Sequence, residues 1–208
     1  METFRLRRLG VVLLVVAFAF VDGASSGLAA RSAGTGPPRA AGVSFSALNA
    51  DAAGHDLYAS FSLRDAFSDE VRESIDSGLP VSFTYFLEVA RRRPLWFDKI
   101  LIRKSVATTV TYDTLTHQYS LSKRVNDEVT ETSVAVNEID MMQWMTNLER
   151  VRLADPTTLP GAEDGTLYLR VKSRLQKKFI LFFIPWDVET GWEKVRLSFP
   201  VEGTSSDR

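Results

Sequence analysis

The densest chemistry in the chain is cationic: Arg91-Arg92-Arg93 is followed by Lys99, Arg103 and Lys104, with Trp96 and Phe97 set among them. Arginine presents a planar fork of donors that fits carboxylate or phosphate two bonds at a time, and tryptophan presents a flat apolar face. Together they could clamp an anionic headgroup, a phosphorylated glycan or an acidic protein surface. Arg91, Arg93, Trp96 and Arg103 are therefore the candidate binding residues. The competing reading is structural: alternation along a strand divides the arginines between two faces, and Trp96 plugs the end of a β-sandwich. A second basic set, Arg170, Lys172 and Arg174 with Lys177 and Lys178 beyond it, falls on one face of a later strand. It would extend the first set if the two strands were neighbours.

Reactive chemistry has less support. The chain has no cysteine, which removes disulfides, thiolate ligands and thiol nucleophiles together. Of the two histidines, His117 follows Thr116 near Asp113 and is expected as a partly buried strand residue, while His55 beside Asp56 reads as a solvated turn residue. A Ser/His/Asp site needs a nucleophile beside the imidazole, and no Gly-x-Ser-x-Gly elbow occurs. Paired-carboxylate hydrolysis needs two acids facing across about 5 to 10 Å. Asp98, Asp113, Glu128, Glu131 and Asp140 instead fall at element ends or on alternating faces. No phosphate loop, EF-hand or zinc spacing is found, so the reading names no catalytic residue, no metal ligand and no cofactor.

The elements that carry these residues read mostly as strands, with apolar side chains at every second position. Val43, Phe45 and Ala47 begin the pattern, and Leu57, Ala59, Phe61 and Leu63 continue it after the turn Asp51-Ala-Ala-Gly54, which implies a hairpin. Val81, Phe83, Tyr85, Leu87 and Val89 form the clearest alternation, with Phe86 as the exception on the opposite face. Strands are expected around 98–104, 105–113, 117–124 and 127–134, with Val106, Val110, Tyr112, Tyr119 and Leu121 inward. Leu167, Leu169, Val171 and Leu175, then Val195, Leu197, Phe199 and Val201, complete the set. Two stretches change to helical spacing. Ser68 caps a short helix that Gly78-Leu79-Pro80 ends, and Asn137 caps a second with Met141, Trp144, Met145 and Leu148 on one face and Arg150 and Arg152 near its end. The fold class is all-β and mainly antiparallel, a two-sheet β-sandwich with two short helices, with a closed barrel as the alternative.

The N-terminus has the layout of an export signal: Arg5, Arg7 and Arg8, then an apolar run Leu9 to Val21, then small residues Gly23 to Ala30. Thirteen helical residues reach roughly 20 Å, against a hydrocarbon core of roughly 30 Å, which favours a cleaved signal over an anchor. Domains are expected at 1–30 (signal peptide or membrane anchor), 31–42 (flexible linker), 43–201 (β-sandwich) and 202–208 (disordered tail). The 25 Lys and Arg nearly cancel the 26 Asp and Glu, so no global basic field exists for nucleic acid. Phe179 to Trp186 is an apolar run with Pro185 inside it, expected as a buried strand, with a membrane-touching tip as the alternative.

The strand Val81 to Val89 running into Arg91-Arg92-Arg93-Pro94-Leu95-Trp96-Phe97-Asp98, then Tyr112-Asp-Thr-Leu-Thr-His-Gln-Tyr119-Ser-Leu121, together with Gly78-Leu79-Pro80, resembles a family of uncharacterised exported bacterial proteins. The resemblance covers roughly residues 41–200. It implies one domain of unknown function, an address in the cell envelope and, in many members, a membrane sensor kinase encoded alongside; it implies no catalytic residue. The expected function is that of a non-enzymatic, exported accessory module for another envelope protein. The alternatives are a module that binds anionic lipid or glycan, and a hydrolase with a carboxylate site. The expected location is the periplasm, with residues 9–21 as a tether if the signal is retained.

Overall fold

The computed structural model describes residues 42–53, 55–162, 164–177, 187–197 and 199. The expected signal, most of the linker, the run Phe179 to Trp186 and the tail 202–208 lie outside the described residues. No helix among the described residues is long and apolar enough to cross a membrane.

The first two strands, β1 (Ser44–Ala53) and β2 (Asp56–Arg64), form the expected hairpin, with Ala53 opposite Asp56. Leu57, Ala59, Phe61 and Leu63 of β2 are all buried. β1 departs from strict alternation because its register slips between Ser46 and Asn49. Ala47 sits there at φ 53°, exposed, and Leu48 and Ala50 take the inward positions instead. One extra residue in a strand reverses the face of everything beyond it.

Helix α1 (Asp69–Asp76) follows, burying Val71 and Ile75. Ser68 stands at its N-cap without a capping bond, because its hydroxyl donates to the Glu70 carboxylate at 2.6 Å. The exit is the expected one: Gly78 at φ 75° donates to the carbonyl of Ile75 at 2.8 Å, and Leu79 donates to that of Ser74 at 3.1 Å. The chain then enters a meander of β3 (Val81–Arg91), β4 (Lys99–Asp113), β5 (Gln118–Val125) and β6 (Glu128–Ala135). The segments expected as separate strands at 98–104 and 105–113 are one strand, β4, with its irregularity at Leu101: Val89 pairs with Ile102 and Ala90 with Ile100.

Helix α2 (Glu138–Thr146) starts as expected, the Asn137 side chain accepting from Asp140 N at 2.8 Å. It ends earlier than expected. β7 (Asn147–Ala154) begins with no intervening loop, so Leu148 is buried from a strand, and Arg150 and Arg152 are strand residues. The i+7 spacing of Leu148 from Met141 coincides with an inward strand position. A 3-10 turn at Pro156–Thr158 leads on, and β8 (Leu167–Lys177), β9 (Asp187–Glu189) and β10 (Glu193–Arg196) complete the described elements.

Among the described residues every strand pairing is antiparallel and the strands form two sheets: three in the order β1, β2, β7, and seven in the order β10, β8, β3, β4, β5, β6 with β9 also against β8. They share one hydrophobic core in which Phe61 of β2 meets Tyr85 of β3 at 5.2 Å between ring centroids. Each large apolar side chain buried there stabilises the fold by about 1.5–3 kcal/mol before chain entropy is set against it. β3, at the middle of the larger sheet, is committed inward through Val81, Phe83, Tyr85, Leu87 and Val89. Its other face carries Thr84, Phe86 and Glu88, and the candidate site is built there and at its end.

Candidate functional site

β3 and β4 are joined by residues 92–98, and this loop carries two of the four expected binding residues, Arg93 and Trp96. Its base is fixed. Arg92 N donates to the Thr166 carbonyl at 2.9 Å, and the Asp98 carboxylate accepts from Tyr168 Oη at 2.6 Å and from Arg93 N at 3.4 Å. The Tyr168 hydrogen bond is the main influence holding Asp98 below the usual carboxylate range, and burial followed by that same bond pushes the Tyr168 phenol up to about 12. Beyond the base, Leu95, Trp96 and Phe97 are 100%, 78% and 94% exposed. Leu95 holds φ 71°, a left-handed conformation that costs a bulky residue of order 1–3 kcal/mol. Trp96 therefore does not plug the core, as the structural reading expected; the hairpin carries it outward.

Cations surround this apolar tip. Arg92, Arg93 and Lys99 are exposed and form no ion pair among the described residues. Arg91 differs from them. Its guanidinium bonds Asp164 at 2.8 Å and lies over Gly161, where a Cβ would come within 2.8 Å of Nε, so it braces the 161–164 turn against β3. Arg91, Arg93 and Trp96 thus gather at one end of the sheet. Arg103 lies farther along β4, opposite Glu88 and 3.1 Å from its carboxylate.

The second basic set is the neighbour of the first. β8 pairs with β3 on the side away from β4, placing Arg170 opposite Glu88, Lys172 opposite Phe86 and Arg174 opposite Thr84. Glu88 bridges the two sets, accepting from Arg103 on one side and from Arg170 on the other, the latter at 2.5 Å. The pattern repeats one strand over, where the Glu189 carboxylate accepts from Lys172 at 3.0 Å and from Arg174 at 2.6 Å. Burial pushes the Glu189 carboxyl up, but those hydrogen bonds outweigh it and hold it below the usual range. Aromatic rings interleave: the Arg170 guanidinium lies 4.5 Å over the Trp192 ring, the Lys172 ammonium lies 5.2 Å over the Phe86 ring, and the Lys194 ammonium lies 5.2 Å over that of Tyr168. Phe86, the exception to its strand's alternation, is the apolar floor of this ladder. Period-2 spacing could place the cations on faces, but Glu88, Trp192 and Tyr168 join the site only through cross-strand pairing.

The remaining expected residues lie elsewhere. His117 is an exposed turn residue at φ 54°, contrary to the strand position expected, and its Nδ1 is 2.9 Å from Tyr112 Oη. Asp113 accepts the backbone N–H groups of Leu115 and Thr116 in that same turn, which hold its carboxyl low. His55 is an exposed turn residue, as expected. Glu131 binds Lys123 at 2.5 Å and Trp144 Nε1 at 3.2 Å, and Asp140 binds Asn137. Among the described residues, no three His, Asp or Glu side chains converge on one point as a metal ion would require. An open cleft lies between α1 and α2, lined by Phe67, Arg72, Ile139 and Met142, and the ion pair of Arg72 with Glu138 joins those two helices.

Residues 40–196 match the model of the family described as "Domain of unknown function (DUF4390)", and the chain belongs to that family. No curated protein and no solved structure matches it.

Proposed function

We propose that this protein is a non-enzymatic binding module of the cell envelope. It is a β-sandwich, exported to the periplasm by its N-terminal segment, and it serves another envelope protein as an accessory. The observation that carries this reading is the end of the larger sheet, where Leu95, Trp96 and Phe97 stand exposed between Arg92, Arg93 and Lys99, which form no ion pair among the described residues. An exposed apolar cluster ringed by charge is costly in solvent and serves a protein that binds there. Arg103, paired with Glu88, and the ring-stacked Arg170 and Lys172 continue the same surface along the sheet. The sensor kinase that the family resemblance implies is the first partner to test.

The reading is tested by crosslinking in intact cells with a C-terminally tagged chain, followed by mass spectrometry of the captured proteins and of the chain's own N-terminus. A recurrent envelope protein is expected with the wild type and is lost with Arg93→Ala plus Trp96→Ala, which touch no buried contact. Capture that survives both substitutions would overturn the assignment of the surface. An N-terminus near Gly27 to Arg31 would show a free domain, and an intact start would show a tethered one.

A further inference from the structure

We infer that the 92–98 loop docks on an anionic lipid bilayer, inserting Leu95, Trp96 and Phe97 at the headgroup layer while Arg92, Arg93 and Lys99 meet lipid phosphates. The inference rests on the binding-module reading and deepens it: docking of the tip on the bilayer is the step that brings the module to its envelope protein partner.

The shape of the tip selects the occupant. Three consecutive apolar side chains at 100%, 78% and 94% exposure form a protrusion at the end of a hairpin, which is suited to entering a soft layer. The residue types fit the same place: an indole prefers the membrane interface, with leucine and phenylalanine reaching the acyl chains below it. Charge supplies the second argument. Arg92 and Arg93 precede the tip and Lys99 follows it, so cations flank both sides and reach the headgroup plane when the tip enters. Among the described residues two carboxylates near the loop would oppose an anionic surface: Asp164 is paired with Arg91 at 2.8 Å, and Asp98, kept ionised by Tyr168 at 2.6 Å, is a single negative charge against Arg92, Arg93 and Lys99. The third argument is rigidity. Those bonds, with Arg92 N on the Thr166 carbonyl, tie the loop base to β8 and its approach, so the tip is held out before it meets a surface. Leu95 keeps its left-handed backbone with no described contact that rewards it, which marks a position shaped for what it touches.

The absence of cysteine from the chain makes the test clean. The full chain carries an environment-sensitive fluorophore on the thiol introduced by Leu95→Cys or, as a control, by Leu115→Cys. Leu115 is 90% exposed in the turn at the far end of β4, so it reports any lipid association that does not involve the tip. With vesicles of phosphatidylglycerol and phosphatidylcholine, the probe at 95 is expected to shift to the blue and become shielded from an aqueous quencher, and the probe at 115 to do neither. Pure phosphatidylcholine and soluble glycerol phosphate should leave both unchanged. Each of Arg92→Ala, Arg93→Ala and Lys99→Ala should weaken the partition at 95 about fivefold. No shift at 95, an equal shift at 115, or a shift with soluble glycerol phosphate would overturn the inference. If the probe at 95 stays in water while the tagged chain still captures its protein partner through Trp96, the lipid inference fails and the module reading stands. Loss of both signals refutes both.

Discussion

Inside the core, the Met145 carbonyl accepts two hydroxyl hydrogen bonds, from Tyr85 at 2.8 Å and from Thr108 at 3.1 Å. Met145 lies in the last turn of α2, where carbonyls lose their helical partners, and β7 follows too abruptly for a loop to supply replacements. Burial pushes the Tyr85 phenol far above its usual range, against a smaller opposing effect of the Thr108 hydrogen bond, so the hydroxyl remains a donor. Tyr85→Phe should cost about 1 kcal/mol in urea unfolding, since Thr108 still serves the carbonyl. Combined with Thr108→Val it should cost more than the sum of the two single changes, because the oxygen is then buried without a donor. Additive losses would contradict this arrangement. Ser173 is the opposite case: it is fully buried and its Oγ has no partner among the described residues. Ser173→Ala removes an unrewarded desolvation and should leave the thermal midpoint unchanged or raise it.

At the scale of elements, the outer face of β3, β4 and β8 is held by carboxylates set between cations. Glu189 titrates below an ordinary carboxyl in the folded chain, so its contribution is present above the ordinary value and is lost as pH falls through the lowered one. Stability to urea should therefore hold from neutral pH to about pH 5 and decline below about pH 4. Glu189→Gln should flatten part of that decline, while Glu131, held low chiefly by its Lys123 hydrogen bond, and the lowered carboxyls of Asp98 and Asp113 retain the rest. Gly78 tests a different join, that between α1 and β3. At φ 75°, and with a would-be Cβ 3.4 Å from the Tyr112 carbonyl, Gly78→Ala should destabilise by about 1–2 kcal/mol in the same assay. Most strands were legible from alternation because each buries one face, and the Asn137 cap and Gly78 stop carried their own signals. The end of α2 was not legible. Met141, Trp144, Met145 and Leu148 keep helical spacing while the backbone changes to a strand at Asn147, and spacing alone does not record that change.

For the molecule as a whole, a formal net charge of −1 conceals a strongly uneven distribution. Arg103, Arg170, Lys172, Arg174 and Lys194 share the outer face of the larger sheet, and Glu88 and Glu189 are set among them. The sequence showed both basic sets but not their adjacency, since β3 and β8 are joined only by long-range pairing between residues such as Glu88 and Arg170. The exposure of Trp96 was equally hidden, because an aromatic residue beside a strand end suits a core plug as well as a hairpin tip until the turn is placed. The central claim is that the protein engages its partner through that tip. A photoreactive phenylalanine analogue at Phe97, compared with one at Leu115 on the opposite end of β4, tests it most directly in intact cells. The account predicts a discrete adduct from position 97 and none from position 115. Adducts of equal yield from both positions, or none from 97 while the chain remains folded and exported, would contradict it.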